Sequence, residues 1–186
     1  MVYTMAVKFG AIKRCRVRRK NCTSKRNIEL YVLSEGTDGK LTTATDTLKQ
    51  NLKIWLSEKK MMNDSIDIRD AKIVNYGVEF SINVDQNENS YEVLSNSIKA
   101  VQDALSEPLY VGEPLYISDI YGILNKVRGV VDAKMVRIAN KTGVGYSSTF
   151  VKMDDLLSAD GLTAEAPENV ALEIKYPASD IKGVIV

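Results

Sequence analysis

The chain has 186 residues, 45% of them hydrophobic, enough for one sizeable core plus appendages. Eleven glycines, four prolines and no long apolar run exclude collagen-like, wholly disordered and membrane-spanning classes. The absence of histidine removes Ser-His-Asp triads, Cys-His pairs, His-Glu-x-x-His metal sites and histidine proton shuttles. The net charge of +1 hides an asymmetry: nine of the 25 basic residues lie in 8–26, ahead of the first acidic residue, Glu29. A basic arm on an acidic body suits docking between copies or onto an acidic neighbour. No apolar segment followed by a small-residue cleavage site is seen at the N-terminus, so no secretory signal is expected. Cys15 and Cys22, spaced C-x6-C without histidine, read as simple thiols of a reducing compartment.

In chain order, residues 12–19 place Arg14, Arg16 and Arg18 on one face if they are extended, with Cys15 and Val17 on the other. Residues 28–33 (IELYVL) read as a buried strand, followed by a glycine-bearing turn. Thr42 and Thr43 are candidate caps of a helix over 44–59, whose stripe is Leu48, Leu52, Trp55 and Leu56. Asp64, Asp67 and Asp70 recur at intervals of three and read as solvated connector positions, without the glycine-centred loop of a calcium site. Residues 72–84 alternate Val74, Tyr76, Val78, Phe80, Ile82 and Val84 with a more polar set, which predicts a strand with one packed face. Gly77 marks a bulge or a close backbone contact in it.

Residues 91–105 read as a second helix with Leu94, Ile98, Val101 and Leu105 inward, Ser90 as cap, and Glu107-Pro108 at or beyond its end. Ser118 caps a short third helix with Ile120, Leu124 and Val127 inward, and residues 130–138 form the next strand. Residues 170–176 give a final strand, and the apolar ending at 180–186 is expected to pack against the body or a neighbour. The two strand openings DAKIV at 70 and DAKMV at 132 support a β-α-β…α-β order. The fold class that follows is α+β: a split β-α-β (ferredoxin-like) core with helices on a mixed or antiparallel sheet, plus a looser C-terminal β extension. Expected regions are a basic arm or partial preceding domain at 1–27, a core at 28–139 and an extension at 140–186.

Candidate sites are few. Lys141-Thr142-Gly143-Val144-Gly145 lacks the glycines that should precede the lysine of a phosphate loop. No catalytic, cofactor-binding or metal-binding residue is assigned and no cofactor is expected. The candidate interface residues are Arg14, Arg16, Arg18 and Arg19 of the arm and Tyr110, Tyr116 and Tyr121, each tyrosine having a plain alternative as core or edge filler. The arm faces a protein partner in one reading. In the alternative it makes the chain a nucleic-acid-binding module, against which stand the acidic body and the lack of interleaved aromatics. An enzyme using Asp, Lys or Tyr is a third class, and it requires a pocket of converging polar groups.

Several segments together resemble the C-terminal part of a contractile-tail bacteriophage baseplate wedge protein of the baseplate J-like family. They are KRNIELYVLS at 25–34, LKQNL at 48–52, DAKIVNYGVEF at 70–80, GEPLYISDIY at 112–121, VRGVVD at 127–132 and LEIKYP at 172–177. The similarity spans about residues 10–186. It implies a non-enzymatic virion structural subunit in the tail baseplate, assembled in the host cytoplasm and mediating protein-protein assembly around the tail hub. The partners it implies are other baseplate wedge proteins and further copies in the full-length assembly, with no membrane and nucleic acid unlikely. It also implies contacts that rearrange on tail contraction, and more chain upstream than is present here.

Overall fold

The computed structural model describes residues 2–5, 10–20, 26–61, 64–106 and 109–186. Lys8, Cys22, Lys25 and the Glu107-Pro108 helix exit lie outside the described residues. The chain is a mixed α+β protein that divides into two compact units. The first comprises Met1–Ile73, Tyr110–Gly112 and Pro167–Ala171; the second comprises Val74–Leu109, Glu113–Ala166 and Leu172–Val186. The limits expected after residues 27 and 139 do not coincide with this division.

In the first unit, β1 (Arg14–Lys20), β2 (Arg26–Glu35), β3 (Leu41–Thr42) and β4 (Asp64–Asp70) form one sheet, with α1 (Asp46–Ser57) between β3 and β4. Central β2 pairs antiparallel with β1, Cys15 opposite Val32 and Arg19 opposite Ile28. On its other side it pairs parallel with β4, Ile28 opposite Ile66 and Leu30 opposite Ile68. Leu30 and Val32 thus share a face with Ile66 and Ile68, and that face meets Leu48, Leu52 and Leu56 of α1. Burying each such side chain contributes about 1.5–3 kcal/mol. Thr45, not Thr42 or Thr43, caps α1: its hydroxyl accepts from the Leu48 N–H at 3.4 Å, whereas Thr42 already lies in β3.

The acidic triplet corrects the reading as connector. Asp64 and Asp70 bound a strand and Asp67 lies inside it, because Ile66 and Ile68 supply the period of two that packs on α1.

In the second unit, β5 (Lys72–Val84) contributes all but its first two residues. It is followed by α2 (Ser90–Ala104), β6 (Leu115–Tyr116), α3 (Ile117–Leu124), β7 (Val130–Asn140) and β8 (Thr163–Ala164). β9 (Val170–Glu173), whose first two residues belong to the first unit, α4 (Pro177–Asp180) and β10 (Ile181–Ile185) complete the chain. Central β5 pairs antiparallel with β7 and parallel with β10, and β9 also pairs with it. The apolar ending, expected to pack against the body or a neighbour, packs in the body, as a strand after the one expected to be final.

β5 departs from its expected single packed face. Asn75, Gly77 and Ser81 are buried along with Val74, Tyr76, Val78, Phe80 and Ile82, so both sides are covered. Gly77 is a close contact and not a bulge: a β-carbon there would stand 2.6 Å from the Asp180 carbonyl oxygen. The irregularities in the β5–β7 register fall at Ser81/Ile82 and Asn83/Val84. Helix α2 is capped by Asn89, which accepts from the Tyr91 N–H at 3.2 Å, in place of Ser90. Its fully covered positions are Val93, Ser97 and Val101, while Leu94 and Ile98 are half-buried; Ser97 fits there because its hydroxyl donates to the Val93 carbonyl at 2.8 Å. Helix α3 starts after Tyr116 with no side-chain cap, so Ser118 lies inside it.

Candidate interface on the first unit

The period of two in β1 gives its two faces opposite environments. Cys15, Val17 and Arg19 share the α1 face of the sheet, and Arg14, Arg16 and Arg18 share the other with Glu29, Tyr31 and Leu33 of β2. The alternation expected for the arm is therefore realised, within a paired strand.

The arginines on that second face are engaged by their own unit. Arg16 Nη1 donates to the carbonyls of Val111 at 3.0 Å and Gly112 at 2.9 Å. Gly112 makes this possible: its φ is +71°, and a β-carbon there would collide with the Arg16 guanidinium. Its N–H in turn donates to the Val170 carbonyl at 2.7 Å, so strand, turn and the 167–171 segment are tied together. Arg18 Nε sits 2.9 Å from Glu168 Oε2, a pair exposed enough to be worth under about 1 kcal/mol. Arg14 is buried, and Arg19 is exposed on the α1 face.

Glu29 is the buried carboxylate of this face. Tyr31 Oη donates to its Oε2 at 3.1 Å, and Arg69 Nη2 lies 3.2 Å from its Oε1. Asn27 Nδ2 donates to Asp67 Oδ2 at 3.0 Å, linking β2 to β4. A carboxylate taken out of water needs such partners, since burying it alone costs several kcal/mol.

The three tyrosines separate. Tyr110 is exposed in the first unit, beside the turn that receives Arg16. Tyr116 is exposed in the second unit, in β6 opposite Thr163. Tyr121 is half-buried there, and its hydroxyl accepts from the Val136 N–H at 2.9 Å, which holds α3 to β7. The structure brings Arg16 next to the Tyr110–Gly112 turn but gathers no site from all seven residues.

The glycine-bearing loop after Lys141 serves packing. Asn75, 1% exposed, accepts from the Ser147 N–H at 2.7 Å and donates to Glu173 Oε2 at 3.0 Å. Tyr146 Oη donates to buried Asp180 at 2.6 Å, and that bond is the main reason its phenol is held above the ordinary tyrosine range. Among the described residues no group of three His, Cys, Asp or Glu side chains is placed to hold a metal ion.

The sequence reading missed the outer edge of β4. An open groove runs between α1 and this strand, with Ile66 and Ile68 as its apolar part and Asp46, Lys49 and Lys53 along the helix. Lys49 Nζ bridges Asp70 at 2.8 Å and Asp46 at 3.0 Å, and those bonds, Asp70 first, raise its pKa. Among the described residues no strand covers the outer edge of β1 or of β4. The alternation of Ile66 and Ile68 was the available signal for this edge.

No family model and no curated protein matches the chain. Its fold is similar to that of a chain in the cryo-EM structure of the anti-feeding prophage baseplate, 6-fold symmetrised, with a TM-score of 0.51 and 10% sequence identity. The match covers 94% of this chain and 35% of that one, so the protein spans about a third of the baseplate chain whose fold it shares.

Proposed function

We propose that the protein is a non-enzymatic structural subunit of a contractile-tail baseplate, acting in the wedge to mediate protein-protein assembly around the tail hub. The observation that carries this reading is the shared fold over 94% of the chain with a baseplate component. The ordered segments that resemble a wedge protein add support to it. Its working parts are surfaces: the charged β1–β2–β4 face and the two sheet edges of the first unit, whose backbone groups suit strand addition. Arg16 and Arg18 meet carbonyls and a carboxylate of their own chain, an arrangement that suits a rigid protein surface better than a phosphate-binding strip. The partners of this reading are other baseplate wedge proteins and further copies of the chain, in a virion tail baseplate assembled in the host cytoplasm.

The test is co-expression with the tail proteins encoded beside it, followed by the mass of the purified complex. A stable complex containing at least one of them, unaffected by nuclease, is expected. Purification of the chain alone from every combination would contradict the reading.

A further inference from the structure

We propose that the outer edge of β1 in one copy pairs antiparallel with the outer edge of β4 in the next, joining first units head to tail into a continuous sheet. The proposal deepens the assembly reading above and rests on it only for the setting in which the copies meet.

The backbone hydrogen bonds fix which groups face outward. The Cys15 N–H donates to Tyr3 Oη at 3.1 Å, away from β2, so the backbone groups of Val17 and Arg19 also point out of the sheet. On the other side the Ala71 N–H donates to the Val32 carbonyl at 3.2 Å. Ser65, Asp67 and Arg69 therefore face β2, and Asp64, Ile66, Ile68 and Asp70 point outward. Outward residues of both edges carry their side chains on the α1 face, so an added strand continues the sheet without turning either face over.

Charge and apolar pattern then select the partner and the register. β1 reads RCRVRRK and β4 reads DSIDIRD, a basic edge and a mainly acidic one. Two β1 edges repel, two β4 edges repel, and the unlike pair attracts, so the contact is heterologous and closes into a ring where the rotation permits. With Val17 opposite Ile66, Arg19 falls opposite Asp64 and Arg16 opposite Asp67. Val17, 60% exposed, then covers the half-buried Ile66 at the mouth of the α1–β4 groove. Tyr3 already occupies the Cys15 N–H and the Met61 carbonyl the Asp64 N–H at 3.0 Å, which limits the new backbone bonds to those between Val17 and Ile66 and to the Arg19 N–H.

The full chain carrying Val17→Cys is mixed with the full chain carrying Ile66→Cys and oxidised mildly. Expected is a disulfide-linked dimer in the mixture, well above the level given by wild-type chain or by either variant alone. Arg19→Glu on the first chain should lower that yield about threefold, and Asp64→Lys on the second should restore it. Arg19→Cys with Asp64→Cys gives a second pair should Ile66→Cys not fold. Two results would each overturn the proposal: no excess cross-link from either mixture at millimolar chain, or self-linking by the Val17→Cys chain alone. Cross-linking without retention of tail proteins would leave this contact standing and sink the baseplate reading; retention without cross-linking would do the reverse.

Discussion

The two units use polar groups in opposite ways. In the second, they are turned inward: Asn75 and Asp180 are 1% exposed and satisfied by Ser147, Glu173, Tyr146 and the Tyr176 N–H. They knit a loop and the segment before β10 to β5, and their loss costs stability. In the first, charges line a sheet face and two open edges, with only Glu29 and Arg14 buried among the described residues. The difference separates polar groups buried to hold a loop and a terminal segment in place from charge that a neighbour can reach.

Substitutions can break or sharpen this contrast. The largest effect is expected in the core of β5: Phe80→Ala, at a site 1% exposed, should cost about 3–5 kcal/mol in denaturant unfolding. Asn75→Ala should cost about 1–3 kcal/mol, because the Ser147 N–H and the Glu173 carboxylate lose a buried partner. A neutral Asn75→Ala would contradict the structural role given to the 141–147 loop. Arg16→Ala should cost about 1–2 kcal/mol, with faster hydrogen exchange at Gly112 as its local signature. Arg18→Ala should stay under about 1 kcal/mol, because its pair with Glu168 is about half exposed.

The smallest effect near neutral pH comes from tyrosine ionisation. Burial raises Tyr76 and the Asp180 bond raises Tyr146, so both stay protonated longer when folded than unfolded. Their contribution is fully present below the unfolded tyrosine value of about 10 and is lost as pH rises through the folded values. Thermal melts should therefore be insensitive to these groups at pH 7–9 and fall above about pH 10, less steeply in Tyr146→Phe.

Much of the secondary structure was legible in the sequence because its periods are clean. β5 occupies 72–84 as expected, and α1, α2, α3 and β7 lie within a few residues of their expected spans. What escaped the reading depended on tertiary context. Asn75 and Ser81 look like outward positions of an amphipathic strand, yet both are buried, Asn75 with the Ser147 N–H of the 141–147 loop as its partner. The Asp64, Asp67 and Asp70 spacing drew attention from two isoleucines that define β4 and its open edge. The arginine face of β1 was foreseeable from alternation, but the acceptors of Arg16 and Arg18 lie about a hundred residues or more along the chain. No local pattern announces contacts of that range.

The central claim is that the chain assembles through the edges of its first unit while the second stays as it is. Residue-resolved hydrogen exchange of the isolated chain and of its complex with co-expressed tail proteins tests this most directly. The account predicts slowed exchange on assembly at Val17, Arg19 and Ile66, with the amides of β5 equally protected in both states. Unchanged exchange at those three amides, with new protection confined to the second unit, would contradict it.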